Sequence, residues 1–174
     1  MQETVQENKM REIRVEKITL NCGTGGPGPK LEKSLKLLSM LSGMKAVSTK
    51  TTKRIPTWSV RPGLELGCRV TVRGKKAAKL LDLLIQAKKK ELKKSSFDDH
   101  GNVAFGVHEY LDIPGIEYDP DIGIIGFEVA VTLERPGFHI RRRARGKKSI
   151  PLAHKITKEN AITFMGKTYG VKAI

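Results

Sequence analysis

The residues best equipped for chemistry in this chain are its cations, and they come in clusters. One run is His139-Ile140-Arg141-Arg142-Arg143-Ala144-Arg145-Gly146-Lys147-Lys148. Like charges at that density repel, which predicts a loop that is mobile alone and ordered on a polyanion. A localisation signal is the competing reading. The second cluster, Thr49 to Pro62, mixes Lys50, Lys53, Arg54 and Arg61 with hydroxyls and the single indole, Trp58. Such a segment can contact backbone phosphates while the indole stacks on a base; equally, Trp58 can be an ordinary packing anchor.

Patterns that would suggest an enzyme are weaker. Gly23-Thr24-Gly25-Gly26-Pro27-Gly28 matches the GxGxxG fingerprint between a strand and a helix. It supports, as an alternative, an NAD(P)-binding oxidoreductase with a pyrophosphate at the helix start. Against it, Pro27 and Pro29 remove backbone donors, the segment Ser48 to Thr51 has no acid for a ribose, and successive βαβ units are missing. An RNA phosphate could use the same helix start. The acidic pairs Asp98/Asp99 and Asp119/Asp121 sit beside glycine or proline and read as turn formers. His100, His108, His139 and His154 show no metal-ligand spacing, and Cys22 and Cys68 form neither a zinc motif nor a disulfide framework. Both cysteines read as small buried residues of a reducing compartment. No catalytic residue, metal or cofactor is expected.

The overall charge points the same way. Lys and Arg number 33 against 18 Asp and Glu, a formal charge of +15, while 39% of residues are hydrophobic. A core can form, but the surplus charge disfavours a compact state unless a polyanion relieves it. No apolar run approaches the roughly 18 residues that span a bilayer. The polar, partly acidic start is neither a signal nor a transit peptide, so a cytoplasmic protein without membrane partners is expected.

The elements that must position these residues follow from periodicity. Residues 1–11 read as a flexible tail and 12–174 as a single domain. Strands are expected over Glu12–Cys22, Ala46–Thr51, Leu66–Arg73, Val103–Tyr110 and Ile124–Leu133, where polar and apolar residues alternate. Helices are expected over Lys30–Ser42, with Leu31, Leu35, Leu38 and Leu41 inward, over Lys75–Lys93, and over Lys158–Thr168 with Thr157 as cap. An acidic loop spans Asp112–Asp121 and a basic one Pro136–Pro151. The sum is an α+β fold: an antiparallel-rich sheet with helices on one face, a polar face turned to RNA, and protruding basic loops. That polar face carries Thr19, Asn21, Arg69, Thr71 and Arg73, groups suited to phosphates, 2′-hydroxyls and base edges. A merely solvated face is the plain alternative.

Several segments in order carry a resemblance: Val15-Glu16-Lys17-Ile18-Thr19-Leu20-Asn21 before a glycine loop, Leu41-Ser42-Gly43, Thr49-Lys50, Arg61-Pro62-Gly63, Arg69-Val70-Thr71-Val72-Arg73-Gly74, Ser96-Phe97-Asp98 with Gly101-Asn102, Tyr118-Asp119-Pro120 and Arg135-Pro136-Gly137. From about Met10 to Gly170 the chain resembles the large-subunit ribosomal proteins that bind 5S rRNA, called L-five in bacteria and archaea and L-eleven in eukaryotes. Ser149-Ile150-Pro151 with His154-Lys155 is similar to the archaeal and eukaryotic branch. The resemblance implies a domain in the central protuberance that holds 5S rRNA against the large-subunit rRNA. It implies Asn21, Thr49, Lys50, Arg69, Thr71 and Arg73 as 5S rRNA contacts. It also implies a loop with Lys53, Arg54, Trp58 and Arg61 near P-site tRNA. Arg141, Arg142, Arg143, Arg145, Lys147 and Lys148 are candidates for further rRNA contacts. Neighbouring large-subunit proteins, and a small-subunit head protein met across an intersubunit bridge, complete the implied partners; the loop Asp112–Asp121 is assigned to that bridge. Two departures stand out. Met44 occupies a position where the family often has Gln, and Ile55-Pro56-Thr57-Trp58 differs from the family's usual small or aromatic residues.

Overall fold

A computed structural model describes residues 8–174. Residues 1–7, most of the expected tail, lie outside the described residues; Lys9–Arg11 form a short 3-10 turn whose Met10 N–H is capped by the Asn8 side chain. Five antiparallel strands make the main sheet: β1 (Arg14–Gly23), β2 (Val47–Lys50), β3 (Glu65–Arg73), β5 (Val103–Val107) and β6 (Phe127–Glu134), in the order β2-β3-β1-β6-β5. Each strand alternates as its sequence demands. Ile18, Leu20 and Cys22 of β1, Cys68, Val70 and Val72 of β3, and Phe127, Val129, Val131 and Leu133 of β6 are buried on one face.

Helices α1 (Pro29–Ser42) and α2 (Lys75–Ala87) cover that face through contacts with β1 and β3. In α1 the buried leucines are Leu31, Leu37 and Leu38, whereas Leu35 and Leu41 are only partly buried; the apolar stripe is therefore rotated toward Leu37 from the expected one. Gly43 ends the helix in the left-handed conformation, its N–H closing on Ser39. A third helix, α3 (Lys158–Tyr169), is capped by Thr157 and adds Ala161 and Met165 to the same core. Among the described residues, no helix is long and apolar enough to cross a membrane.

Most boundaries shift by one or two residues; three differ from expectation by three or more. Helix α2 stops at Ala87 rather than Lys93; Lys89 and Lys90 take left-handed backbone, and β4 (Glu91–Leu92) pairs in parallel with β7 (Lys172–Ala173). The break lets the chain bury Leu92 and pair with its own far end, where Lys94 N–H donates to the Ile174 carbonyl at 2.7 Å and Ile174 N–H to the Leu92 carbonyl at 2.9 Å. Strand β5 ends at Val107, because the chain turns to bury Tyr110, whose hydroxyl accepts the Asp119 N–H at 3.0 Å. Strand β6 begins at Phe127 rather than Ile124, which is 65% exposed.

Candidate nucleic-acid interface

The second face of the sheet carries the half-buried and exposed residues that alternate with the buried ones, and strand register decides which side chains lie together on it. Directly opposed residues of neighbouring strands share a face. One row runs Val47, Arg69, Asn21, Glu128, Gly106; the next runs Thr71, Thr19, Ala130, Ala104; a third runs Arg73, Lys17, Thr132. Asn21, Arg69, Thr71 and Arg73 therefore lie side by side, with Thr49 one row beyond, opposite Gly67. Gly67 is required there: a Cβ would fall 2.5 Å from the Cys22 carbonyl oxygen, and Thr49 Oγ1 already occupies the space above.

Small residues at Ala104, Gly106 and Ala130 flatten one half of this face, while Arg69, Lys17 and Arg73 make the other half cationic. Guanidinium, amide and hydroxyl groups on a flat surface can meet phosphates, 2′-hydroxyls and base edges together. Sequence reasoning omitted Lys17, Thr132 and Glu128 from this face. Alternation along β1 and β6 holds the signal for all three. Glu128 accepts a hydrogen bond from the Asn21 amide at 3.2 Å, which orients the amide but also engages one of its donors.

Two of the candidate arginines have protein partners. Register slips between Val15 and Lys17, leaving Glu16 as the bulged residue of β1. Its carboxylate, about a tenth exposed, receives Arg73 at 3.0 Å and also Arg142. Arg142 reaches on to Glu134 at 2.7 Å, and Arg14 meets Glu134 from the other side at 2.8 Å. The basic run is thereby clamped onto the sheet end. Lys50 lies 3.7 Å from Glu65, so it too is partly neutralised.

The loop after β6 carries internal hydrogen bonds: Phe138–Arg141 form a 3-10 turn, Lys148 N–H closes on the Ile140 carbonyl at 3.3 Å, and Arg143 Nε donates to the Gly146 carbonyl at 2.7 Å. At its base, Arg135 is buried and donates to the carbonyls of His154 and Lys155 at 3.3 and 3.2 Å. Burial, with the Arg11 charge nearby, pulls its pKa below the ordinary guanidinium value. The His154 ring in turn bonds the Pro136 carbonyl at 3.0 Å. Arg141, Arg143, Arg145, Lys147 and Lys148 all remain exposed.

The Thr52–Gly63 segment is a small hairpin tip. Ile55 and Val60 bridge each other, and Pro56–Trp58 make one 3-10 turn between them. Trp58 is 74% exposed, so the packing-anchor reading fails and an accessible indole remains beside exposed Lys53, Arg54 and Arg61. The acidic loop is also anchored: Lys36 of α1 bonds Asp119 at 3.0 Å and Asp121 at 3.2 Å. The Lys36 ammonium, together with the Asp121 N–H, holds the Asp119 carboxyl below its usual range.

The dinucleotide alternative is overturned by geometry. Thr24 and Gly25 N–H groups both donate to the Leu66 carbonyl, so they cannot cradle a phosphate. The strands neighbouring β1 are antiparallel, so the crevice of a doubly wound sheet is absent. Among the described residues, no group of histidine, cysteine and acidic side chains could hold a metal ion.

Comparison with known proteins agrees with the fold. A family described as "Ribosomal protein L5" matches residues 8–61, and the C-terminal region of the same ribosomal family matches residues 65–164. The chain is 45% identical over 171 residues to the large ribosomal subunit protein uL5 of Sulfolobus acidocaldarius, covering 98% of this chain and 96% of that one. It is 46% identical over 169 residues to the uL5 of Nanoarchaeum equitans, covering 97% and 99%. With both halves matched and similarity sustained end to end, this chain belongs to the ribosomal protein L5 family, in its archaeal form.

Proposed function

We propose that this protein binds 5S rRNA through the polar face of its sheet and helps attach it to the large-subunit rRNA in the central protuberance. As a member of the L5 family, the chain is a structural, non-enzymatic constituent of the large ribosomal subunit in the cytoplasmic ribosome. The observation that carries the finer reading is the register: residues from positions 17 to 132 of the chain converge on one hydroxyl- and cation-bearing surface. Asn21, Arg69, Thr71 and Arg73 sit at its centre, with Thr49 and Lys50 at the β2 edge. Arg141, Arg143, Arg145, Lys147 and Lys148 extend the cationic surface toward the large-subunit rRNA, while Arg142 orders their loop. Lys53, Arg54, Arg61 and the exposed Trp58 form the tip that approaches P-site tRNA, an indole being able to stack where cations meet phosphate. The anchored acidic loop Asp112–Asp121 has the sign to meet a basic small-subunit protein across the bridge.

Replacing Arg69 and Thr71 together with Ala tests the sheet face without breaking an ion pair of the fold. A charged and a neutral hydrogen bond lost should weaken 5S rRNA binding in a filter assay by about 10- to 100-fold, with the unfolding midpoint nearly unchanged. Lys53→Ala with Arg54→Ala should leave 5S affinity within about twofold, because the tip stands apart from that face. Wild-type 5S affinity in the first variant would refute the sheet-face assignment, and a large 5S loss in the second would refute the division of labour.

A further inference from the structure

Between the basic loop and the start of α3 lies a cleft of about 400 Å³ whose two ends differ in character. Its floor is apolar, formed by Phe138, Ile150 and Ile156. Its rim is cationic, with Arg141, Lys147, Lys148 and Lys155. Among the described residues, no carboxylate lines it. That volume is within the roughly 300–1,000 Å³ of small-molecule sites. A duplex presents phosphates on a convex backbone and cannot place them in a concavity of this size. A single base with its own phosphate can.

The cleft is also built rather than incidental. Arg135 and His154 tie the two strands of chain that form its walls, through the carbonyls of Pro136, His154 and Lys155. Phe138 is only partly buried and meets the His154 ring edge-on at 5.7 Å, which fixes the phenyl plane. The Arg143–Gly146 and Lys148–Ile140 hydrogen bonds hold the cationic rim in place. A fixed aromatic ring beneath a cationic rim is the arrangement that receives an unstacked nucleotide.

We propose that this cleft is a nucleotide subsite, taking one unstacked nucleotide from a single-stranded or bulged segment of rRNA, with the base against Phe138 and the phosphate among Arg141, Lys148 and Lys155. This inference rests on the rRNA-binding reading above and adds a mode of recognition to it. The sheet face takes folded RNA by its surface, whereas the cleft takes one base out of a strand.

The test uses the full chain and a short oligoribonucleotide carrying one 2-aminopurine, offered single-stranded or fully paired. Bound in the cleft, the fluorescent base should change its emission on titration with the single strand and not with the duplex. Phe138→Leu keeps the apolar volume but loses the ring, and should weaken single-strand binding about tenfold. Lys148→Gln with Lys155→Gln, both exposed, should weaken it roughly three- to tenfold at low salt while leaving the fold intact. Phe138→Leu should keep wild-type 5S rRNA affinity. Unchanged 2-aminopurine emission in a wild-type protein that still binds 5S rRNA would overturn the cleft assignment alone. So would wild-type single-strand affinity in both variants. Free AMP binding as tightly as the strand would replace the rRNA source with a free nucleotide and equally overturn the proposal. A wild-type chain that binds neither 5S rRNA nor either oligonucleotide would sink the broader RNA reading instead.

Discussion

Asp98 shows how much one side chain organises here. Its carboxylate accepts the N–H groups of His100 and Asn102 and the Asn102 side-chain amide, at 2.9, 2.6 and 2.6 Å. Partial burial works against its charge, but those three donors outweigh it and hold the carboxyl below its usual range. A depressed carboxylate stabilises the fold above the ordinary aspartate pKa of about 3.9, and that stabilisation is lost as pH falls through the depressed value. Asp98→Ala should therefore lower stability by about 1 kcal/mol at neutral pH, a modest figure because the site is exposed. The gap between variant and wild type should close in acid, as thermal unfolding across a pH series would show. Asp98 was readable as a turn former from its glycine neighbour. The clamp of Arg142 on Glu16 and Glu134 was not, because the Glu16 partner lies 126 residues away and becomes available only through a bulge. A run of arginines looks uniform in sequence; partners distant in the chain decide which one is structural.

At the scale of elements, alternation carried most of the information. The inward residues of β1, β3 and β6, and the outward set Asn21, Arg69, Thr71 and Arg73, follow from a period of two. Where the chain leaves a helix or enters a strand was less readable, since α2 could have continued on propensity alone and stops because Leu92 is buried against the far end of the chain. Gly67 tests the tightness of the β1–β3 ladder. Gly67→Ala places a methyl against the Cys22 carbonyl and must separate the two strands. It should destabilise by about 1–3 kcal/mol, seen as a lower urea midpoint at unchanged slope. Because Arg69 and Asn21 sit next to that position, 5S rRNA affinity should fall with it.

For the whole molecule, net charge was the first clue and the least specific one. The cations behind a formal charge of +15 are spread over helices, turns and sheet, and only some of them gather on the sheet face, the hairpin tip and the loop after β6, while Asp112–Asp121 collect acids on one loop. Only register and packing divide that charge into surfaces. Salt dependence can count the part that meets phosphate. Each released counterion adds roughly 0.7 to 0.9 to the log–log slope, so Arg69→Ala should make 5S binding less salt-dependent by about that amount between about 50 and 200 mM salt. Trp58→Ala, which removes no charge, should leave the slope as it is.

The strand order has a consequence for synthesis. Strand β1 is the centre of the sheet, yet its two neighbours are β3 and β6, the latter joined through pairs 107 and 120 residues apart. A nascent chain emerges with β1 first and can pair β3 with it early, β2 adding to the far edge of β3. The other edge of β1, a row of open N–H and C=O groups, stays unpaired until Glu134 has left the exit tunnel. A half-made protein therefore holds the β1–β3 ladder with one edge of β1 still open, and the five-stranded sheet is complete only once the chain has been translated through β6.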